Sequence, residues 1–344
     1  MIKKKVLIIG GGTAGVTIAN RLQEHFDVTV IEKSKYKNYP IIYKIPTLIV
    51  LLFRSKKLKY INSRKFTLSN GRVIPYYESN TYGGASVING CVHVLGSRKI
   101  WESILQKFNA TYEHLLESYK YIYSENYETK HKIHLTSSYQ NIIDDSFIKV
   151  LNLLGIPVGN TNFADNQSCG PILNTTKKFF RTSVLSILSK KLFKLHLNKN
   201  VDKLIFNESG KVKGVKTNLK KIEADYVILS GGVIGSCKLL LREKNKNTKD
   251  TDRFLRDIEV GKDIQDHTNL RINVLTNKKI GSFNEISSSF YLKFLLLAKH
   301  LFGMPTLMKG TGATSAAHLD LDNDGIIDTR IQIVQFSETG RHGS

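Results

Sequence analysis

The stretch Val6-Leu-Ile-Ile-Gly-Gly-Gly-Thr-Ala-Gly15, with Val28-Thr-Val-Ile-Glu32 behind it, holds the first physical information in this chain. Val6 to Ile9 is a short apolar run of the kind buried on both faces of a parallel sheet. Gly10, Gly12 and Gly15 occupy the GxGxxG positions, and Val16, Ala19 and Leu22 then recur at helical spacing. A second apolar run, Val28 to Ile31, ends at Glu32. Gly10 permits a tight turn out of the strand. Gly12 lets a pyrophosphate reach the backbone with no Cβ in the way, and Gly15 lets the helix close on the strand. The first helical residues, Thr13 and Ala14, offer free N–H groups and a partial positive charge. Glu32 accepts hydrogen bonds from a ribose diol and disfavours a 2′-phosphate. Strand, glycine loop, helix, strand and acid, in that order, predict a Rossmann-like α/β unit binding FAD or NAD.

The chain has 344 residues, 41% of them hydrophobic, enough for a large core or two domains. Its 51 Lys+Arg against 29 Asp+Glu give a net charge of +22. Such a balance suits non-specific contact with nucleic acid or an anionic surface. The lysines are scattered along an Asn- and Ile-rich chain with no long basic tail, however, so biased composition is the better account of the charge. Cys91, Cys169 and Cys237 are far apart and form no CxxC pair, so neither zinc nor a disulfide framework is expected. Lys3 to Lys5 before an apolar run resembles a signal peptide, but four glycines interrupt the run and the nucleotide site accounts for each. The mostly apolar Ile45 to Phe53 is too short to span a bilayer. The expectation is a soluble intracellular protein that is not secreted, and the sequons at Asn109, Asn166, Asn174 and Asn207 carry little weight.

A second glycine-rich segment, Gly83-Gly-Ala-Ser-Val-Ile-Asn-Gly90, continues through Cys91-Val-His-Val-Leu-Gly96 to Trp101. It resembles the GGxSxxN segment of the glucose–methanol–choline (GMC) oxidoreductases, which runs into NGxxxxRG and a Trp. The resemblance implies that Gly83, Gly84, Ser86, Asn89 and Gly90 lie along the flavin and its pyrophosphate. Ile88 stands where some family members attach flavin through histidine, so FAD is expected to be non-covalent. Leu95 stands where the family commonly has arginine.

Further matches follow in family order. Phe180-Arg-Thr-Ser183 is expected to lead into a helix, and a valine near Val201 lies against the adenosine portion in the family. Gly210 to Val215 reads as a turn returning into a strand. Asp225 to Gly232 reads as a strand ending in glycines before a helix from Val233. That stretch resembles the second GMC signature, with Gly231 in place of alanine, Gly232 after it, and Cys237-Lys238 in place of Pro-Gln. Val260 to His267 resembles the VGxNLQDH segment, in which the Asp266–His267 pair is structural rather than a catalytic dyad. The matches run from about residue 5 to about residue 335. The Lys- and Asn-rich composition is similar to that of GMC-type proteins of giant viruses.

The fold class implied is α/β: a Rossmann-like FAD-binding domain of the GMC type with an incomplete α+β substrate domain. The expected boundaries are 1–40, 75–105 and 195–275 for the FAD domain, and 41–74, 106–194 and 276–344 for the substrate domain. Asp320, Asp322, Asp324, Gly325 and Asp328 mimic an EF-hand loop, but Ile331 holds the position that needs a bidentate acid. A turn between strands is the better reading, and no metal is expected. In the family a histidine takes the alcohol proton while hydride passes to the flavin, with a second His or Asn assisting. Those groups lie in a C-terminal segment, and His342 lacks its context. The resemblance therefore implies a C-terminally truncated, catalytically inactive homologue with no catalytic residue of its own. The alternatives are an FAD-dependent oxidoreductase acting on CH–OH groups of an alcohol donor, and a basic nucleic-acid-packaging protein reusing the scaffold.

Overall fold

The computed structural model describes residues 2–49, 59–68, 70–178, 180–190, 192–244, 259–262, 266 and 268–336. Two compact units emerge: Met1–Pro40, Lys57–Ile88 and Ser183–Leu270 form the first, and Ile41–Lys56, Asn89–Thr182 and Arg271–Ser344 the second. Relative to the sequence-based boundaries, segments 57–74 and 183–194 join the first unit, and 89–105 and 271–275 join the second.

The first unit is built on β1 (Lys5–Ile9), α1 (Thr13–Leu22), β2 (Asp27–Ile31), β3 (Lys194–His196), β4 (Tyr226–Leu229) and α2 (Gly232–Lys244). The sheet order is β3-β2-β1-β4, all parallel. In register, Val6 faces Val28 and Tyr226, and Ile8 faces Val30 and Ile228. A parallel pair needs a crossover, and α1 supplies it between β1 and β2. Val6, Leu7, Ile8, Val28, Val30 and Ile31 are all buried, as a strand covered on both faces requires. A three-stranded antiparallel sheet, Val201–Phe206, Val212–Thr217 and Lys221–Glu223, packs against it. Leu7, Ile31, Val201, Val215 and Leu239 form the shared core. The expected turn before Val215 is present: Gly210 has φ +77° and its N–H donates to Asn207 O. After Ser183 the structure departs from expectation. The helix is only a 3-10 turn, Val184–Ile187, capped by Ser183 Oγ, because Leu188 turns extended on the way to β3.

In the second unit, Ala313–Leu319 is buried along its whole length between Ser168–Pro171 and Thr329–Val334. Ala317 faces Ile331 and Leu319 faces Thr329, so the acidic stretch is the turn between paired strands, as expected. The polar segment 105–165 holds more order than its composition suggests. Helix Ile142–Leu153 starts in a capping box between Asn141 and Asp144. Asp144 is fully buried and accepts from Asn141 N (3.0 Å), Thr314 Oγ1 (2.6 Å), Ser315 Oγ (2.5 Å) and Gln335 Nε2 (3.0 Å). One carboxylate thus fastens a helix start to the central strand. No helix of the described residues is long and apolar enough to cross a membrane.

Asp144→Ala removes the acceptor shared by four donors, among them the buried hydroxyls of Thr314 and Ser315. We expect it to lower stability by about 3 kcal/mol in urea denaturation, whereas Asp145→Ala on the same turn changes it by less than about 0.5 kcal/mol.

Candidate dinucleotide site

The site is set by backbone touching backbone. Gly10 leaves β1 at φ +105°, and a Cβ there would overlap the Ser230 carbonyl at the end of β4. A Cβ on Gly15 would overlap the Gly10 carbonyl. Ser230 Oγ locks this corner by bonding to Ile9 O (3.0 Å) and Gly10 O (2.9 Å). Gly12 then caps α1 in extended geometry with no side-chain cap, and no acidic residue follows in the first turn. Val16 N bonds to Gly12 O, so the amides of Thr13, Ala14 and Gly15 lie ahead of the first intrahelical bond. Thr13 and Ala14 are exposed. Free amides at the positive end of a helix form an anion site.

The second glycine motif folds directly onto the first. Gly83 N donates to Gly11 O at 2.9 Å, and a Cβ on Gly84 would stand 2.7 Å from Gly12 Cα. Both take positive φ, +100° and +58°. Ser86 is turned inward: its hydroxyl donates to Gly83 O (2.8 Å) and accepts from Val184 N (3.2 Å). It ties the second glycine turn to the chain entering β3.

Glu32 is 7% exposed at the end of β2. Its Oε2 accepts from Gly11 N at 2.6 Å, and its Oε1 accepts from Ser34 N and Ser34 Oγ, both at 2.7 Å. A carboxylate offers about four acceptor positions, so one remains on Oε2 for a diol. Tyr82 lies against the same loop, with its ring 3.0 Å from where a Gly11 Cβ would be. Its hydroxyl is buried without a partner, and burial together with the Glu32 charge pushes its pKa up. An orphaned hydroxyl, an unused carboxylate lone pair and open helix amides fit a ribose and its phosphates.

Val201 is buried in the core with Leu7, Ile31, Val215 and Leu239. Gly231 N donates to Ser236 Oγ at 3.1 Å, and Gly232 opens α2 at φ +74° in open space. Gly10, Gly12, Thr13, Ala14, Gly15, Glu32, Gly83, Gly84, Ser86, Val201, Gly231 and Gly232 therefore all belong to the first unit. Asn89 and Gly90 belong to the second. There Asn89 Oδ1 accepts from Cys91 N (3.3 Å) and from Arg181 Nη1, and Gly90 O accepts from Thr311 Oγ1 (2.7 Å). Ile88 is buried and Leu95 N bonds to Asn162 O. His267 and His342 lie outside the described residues. Asp320, Asp322 and Asp328 bring oxygens within 4.8 Å of one another, but Asp320 already accepts from the amides of Asp324 and Gly325.

Tyr82 lies outside the motifs, and Ser230 lies inside the second signature with no role of its own legible there. Tyr82 sits immediately before Gly83-Gly84, which is the one sequence signal that points to it.

A parallel sheet with a glycine-bounded helix N-terminus and a ribose-binding acid is the architecture of dinucleotide-binding α/β proteins. The family model for GMC oxidoreductase matches residues 4–269, and the chain belongs to the GMC oxidoreductase family. Its scaffold is that of an FAD-dependent oxidoreductase. Solved structures agree on the fold. A formate oxidase of Aspergillus oryzae RIB40 is 18% identical, with TM-score 0.64 over 94% of this chain and 63% of that one. An FAD-dependent oxidoreductase from Chaetomium thermophilum is 16% identical, with TM-score 0.66 over 93% and 62%. The pyridoxine 4-oxidase from Mesorbium loti is 18% identical, with TM-score 0.58 over 70% and 51%. The chain thus matches between 51% and 63% of the length of these structures.

Two glycines at the cradle's rim separate sterics from backbone preference. Gly10→Ala forces a Cβ into backbone at positive φ, and we expect a loss of about 3 kcal/mol. Gly232→Ala meets open space and carries only the φ penalty, about 1 kcal/mol. Chemical denaturation of the two variants beside the wild type checks the ordering.

Proposed function

We propose that the chain binds FAD non-covalently through the first unit, as the flavin-binding portion of an oxidoreductase acting on CH–OH groups. The observation that carries this reading is the uncapped, acid-free start of α1 between two glycine turns, with Glu32 at the adjoining strand end. Bound there, FAD supplies hydride acceptance. The chain's own residues hold it. The amides of Thr13, Ala14 and Gly15 balance the pyrophosphate charge. Glu32 and Tyr82 take the ribose hydroxyls. Gly12 and Gly84 keep the approach free of side chains. Ile88 offers no nucleophilic atom for covalent attachment.

We further propose that the 344-residue polypeptide, assayed alone, does not oxidise simple alcohols. The state of several described histidines supports this. His93 is packed against Tyr119 and Tyr123, and burial pulls its pKa down to about 4. His318 bonds to Phe163 O and His300 to Thr306 Oγ1, both buried in the second unit. These side chains are held inside the unit rather than offered to a substrate proton.

Gly12→Ala tests the binding site without breaking the fold, because the nearest atom to its new Cβ is 3.8 Å away. We expect stability within about 0.5 kcal/mol of wild type. FAD affinity should fall by roughly tenfold or more, about 1.4 kcal/mol, by titration against the visible flavin bands. Equal affinity would remove α1 from the site. For the second proposal, simple primary alcohols are added anaerobically to the FAD-loaded chain. We expect the flavin bands to persist, and bleaching overturns the claim of inactivity.

A further inference from the structure

Among the described residues, the second unit contains a buried cation with no counter-charge. Arg181 lies on the short hairpin Thr176–Lys177 and Phe180–Arg181, and is 5% exposed. Its Nη1 donates to Asn89 Oδ1. Its Nε and Nη2 are sealed from solvent and have no hydrogen-bond partner. Among the described residues no ion pair includes it. The thiol of Cys91 is nearby, but burial pushes its pKa up by more than the Arg181 charge lowers it, so it stays neutral.

The pattern of the unmet donors is informative. Nε–H and Nη2–H are the two parallel bonds of the guanidinium's side-on fork, which match two oxygens of a carboxylate or phosphate. A buried guanidinium whose one bond goes to a neutral amide is poorly compensated, because desolvation removes more than one such bond returns. Two further features surround it. Cys91, beside Asn89, takes φ +59°, a left-handed conformation unusual for a side-chain-bearing residue. Asn174 is fully buried with both amide atoms unpartnered. It pairs with Val92, next to Cys91, and precedes by two residues Thr176, the strand partner of Arg181. Unmet polar groups and a strained residue therefore collect on one stretch of the unit.

We infer that Arg181 anchors an enclosed oxyanion site, taking a carboxylate or phosphate on Nε and Nη2 while Nη1 stays on Asn89. The site lies within the second unit and does not rest on the FAD reading. Because the fork is closed to bulk solvent, uptake needs time, and the full chain is equilibrated with each salt before melting.

The probes are acetate and inorganic phosphate, against chloride at matched ionic strength. For the wild type we expect a saturable rise in Tm, on the order of 3 °C at ten times Kd, with at least one probe. Preference for acetate identifies a carboxylate as the ligand, and preference for phosphate a phosphoryl group. Arg181→Met replaces the uncompensated charge by an apolar chain. It should melt at or above the wild type in chloride and respond to neither probe. Arg181→Lys keeps the charge but loses the fork, and should bind roughly tenfold more weakly. A wild type that responds to neither probe overturns the site. So does an undiminished response in Arg181→Met or, if that variant does not fold, in Arg181→Lys.

Discussion

Three backbone segments meet at Gly10, Gly15 and Ser230 with no space for a side-chain atom between them, and the first unit depends on that contact. A methyl group on Gly10 would overlap the Ser230 carbonyl, and one on Gly15 would overlap Gly10 itself. The contact brings the end of β4 against the end of β1 and seats α1 over both. The order β3-β2-β1-β4 can then present one helix N-terminus at the carboxyl edge of the sheet, where ligands of such sheets bind. Ser230 reinforces the corner with its hydroxyl, which reaches two carbonyls from more than 200 residues away in sequence.

That constraint also explains what was legible from sequence. Gly10, Gly12 and Gly15 could be read because only glycine meets the steric demand, and the demand is local. Strand and helix around them followed from periodicity, and the pairing across the acidic turn from the resemblance to the GMC family. Roles decided by distant partners were not legible. Ser86 is small and polar beside a glycine pair, which suits a ligand contact, yet its hydroxyl closes on Gly83 and Val184. Nothing local says which way such a hydroxyl turns. Tyr82 has meaning only because Glu32 lies beside it. Arg181 was read as part of a helix approach, whereas the chain there makes a hairpin followed by a single 3-10 turn.

The second unit treats two buried charged side chains differently. Asp144 is buried but meets four donors, and so joins a helix to a strand at no unmet position. Arg181 is nearly as buried and leaves its fork empty. A protein that satisfies one buried charge so fully has the means to satisfy another. The contrast makes an external partner for Arg181 a better account than loose packing.

Glu32 shows how the cradle can be ready before its ligand arrives. Three of its acceptor positions are filled by Gly11 and Ser34, so the carboxylate is held without help from a ribose. Those same bonds fix the glycine loop: Gly11 N is drawn to Glu32, and Gly11 O is held by Gly83 N. The first glycine turn is therefore clamped on both sides by residues from separate motifs. Ordering a loop on binding weakens affinity, and a loop ordered in advance avoids that loss. The acid thus has two jobs, and the structural one comes first. It holds the glycine loop through Gly11, and on the proposed reading its remaining lone pair is what is left for a sugar hydroxyl.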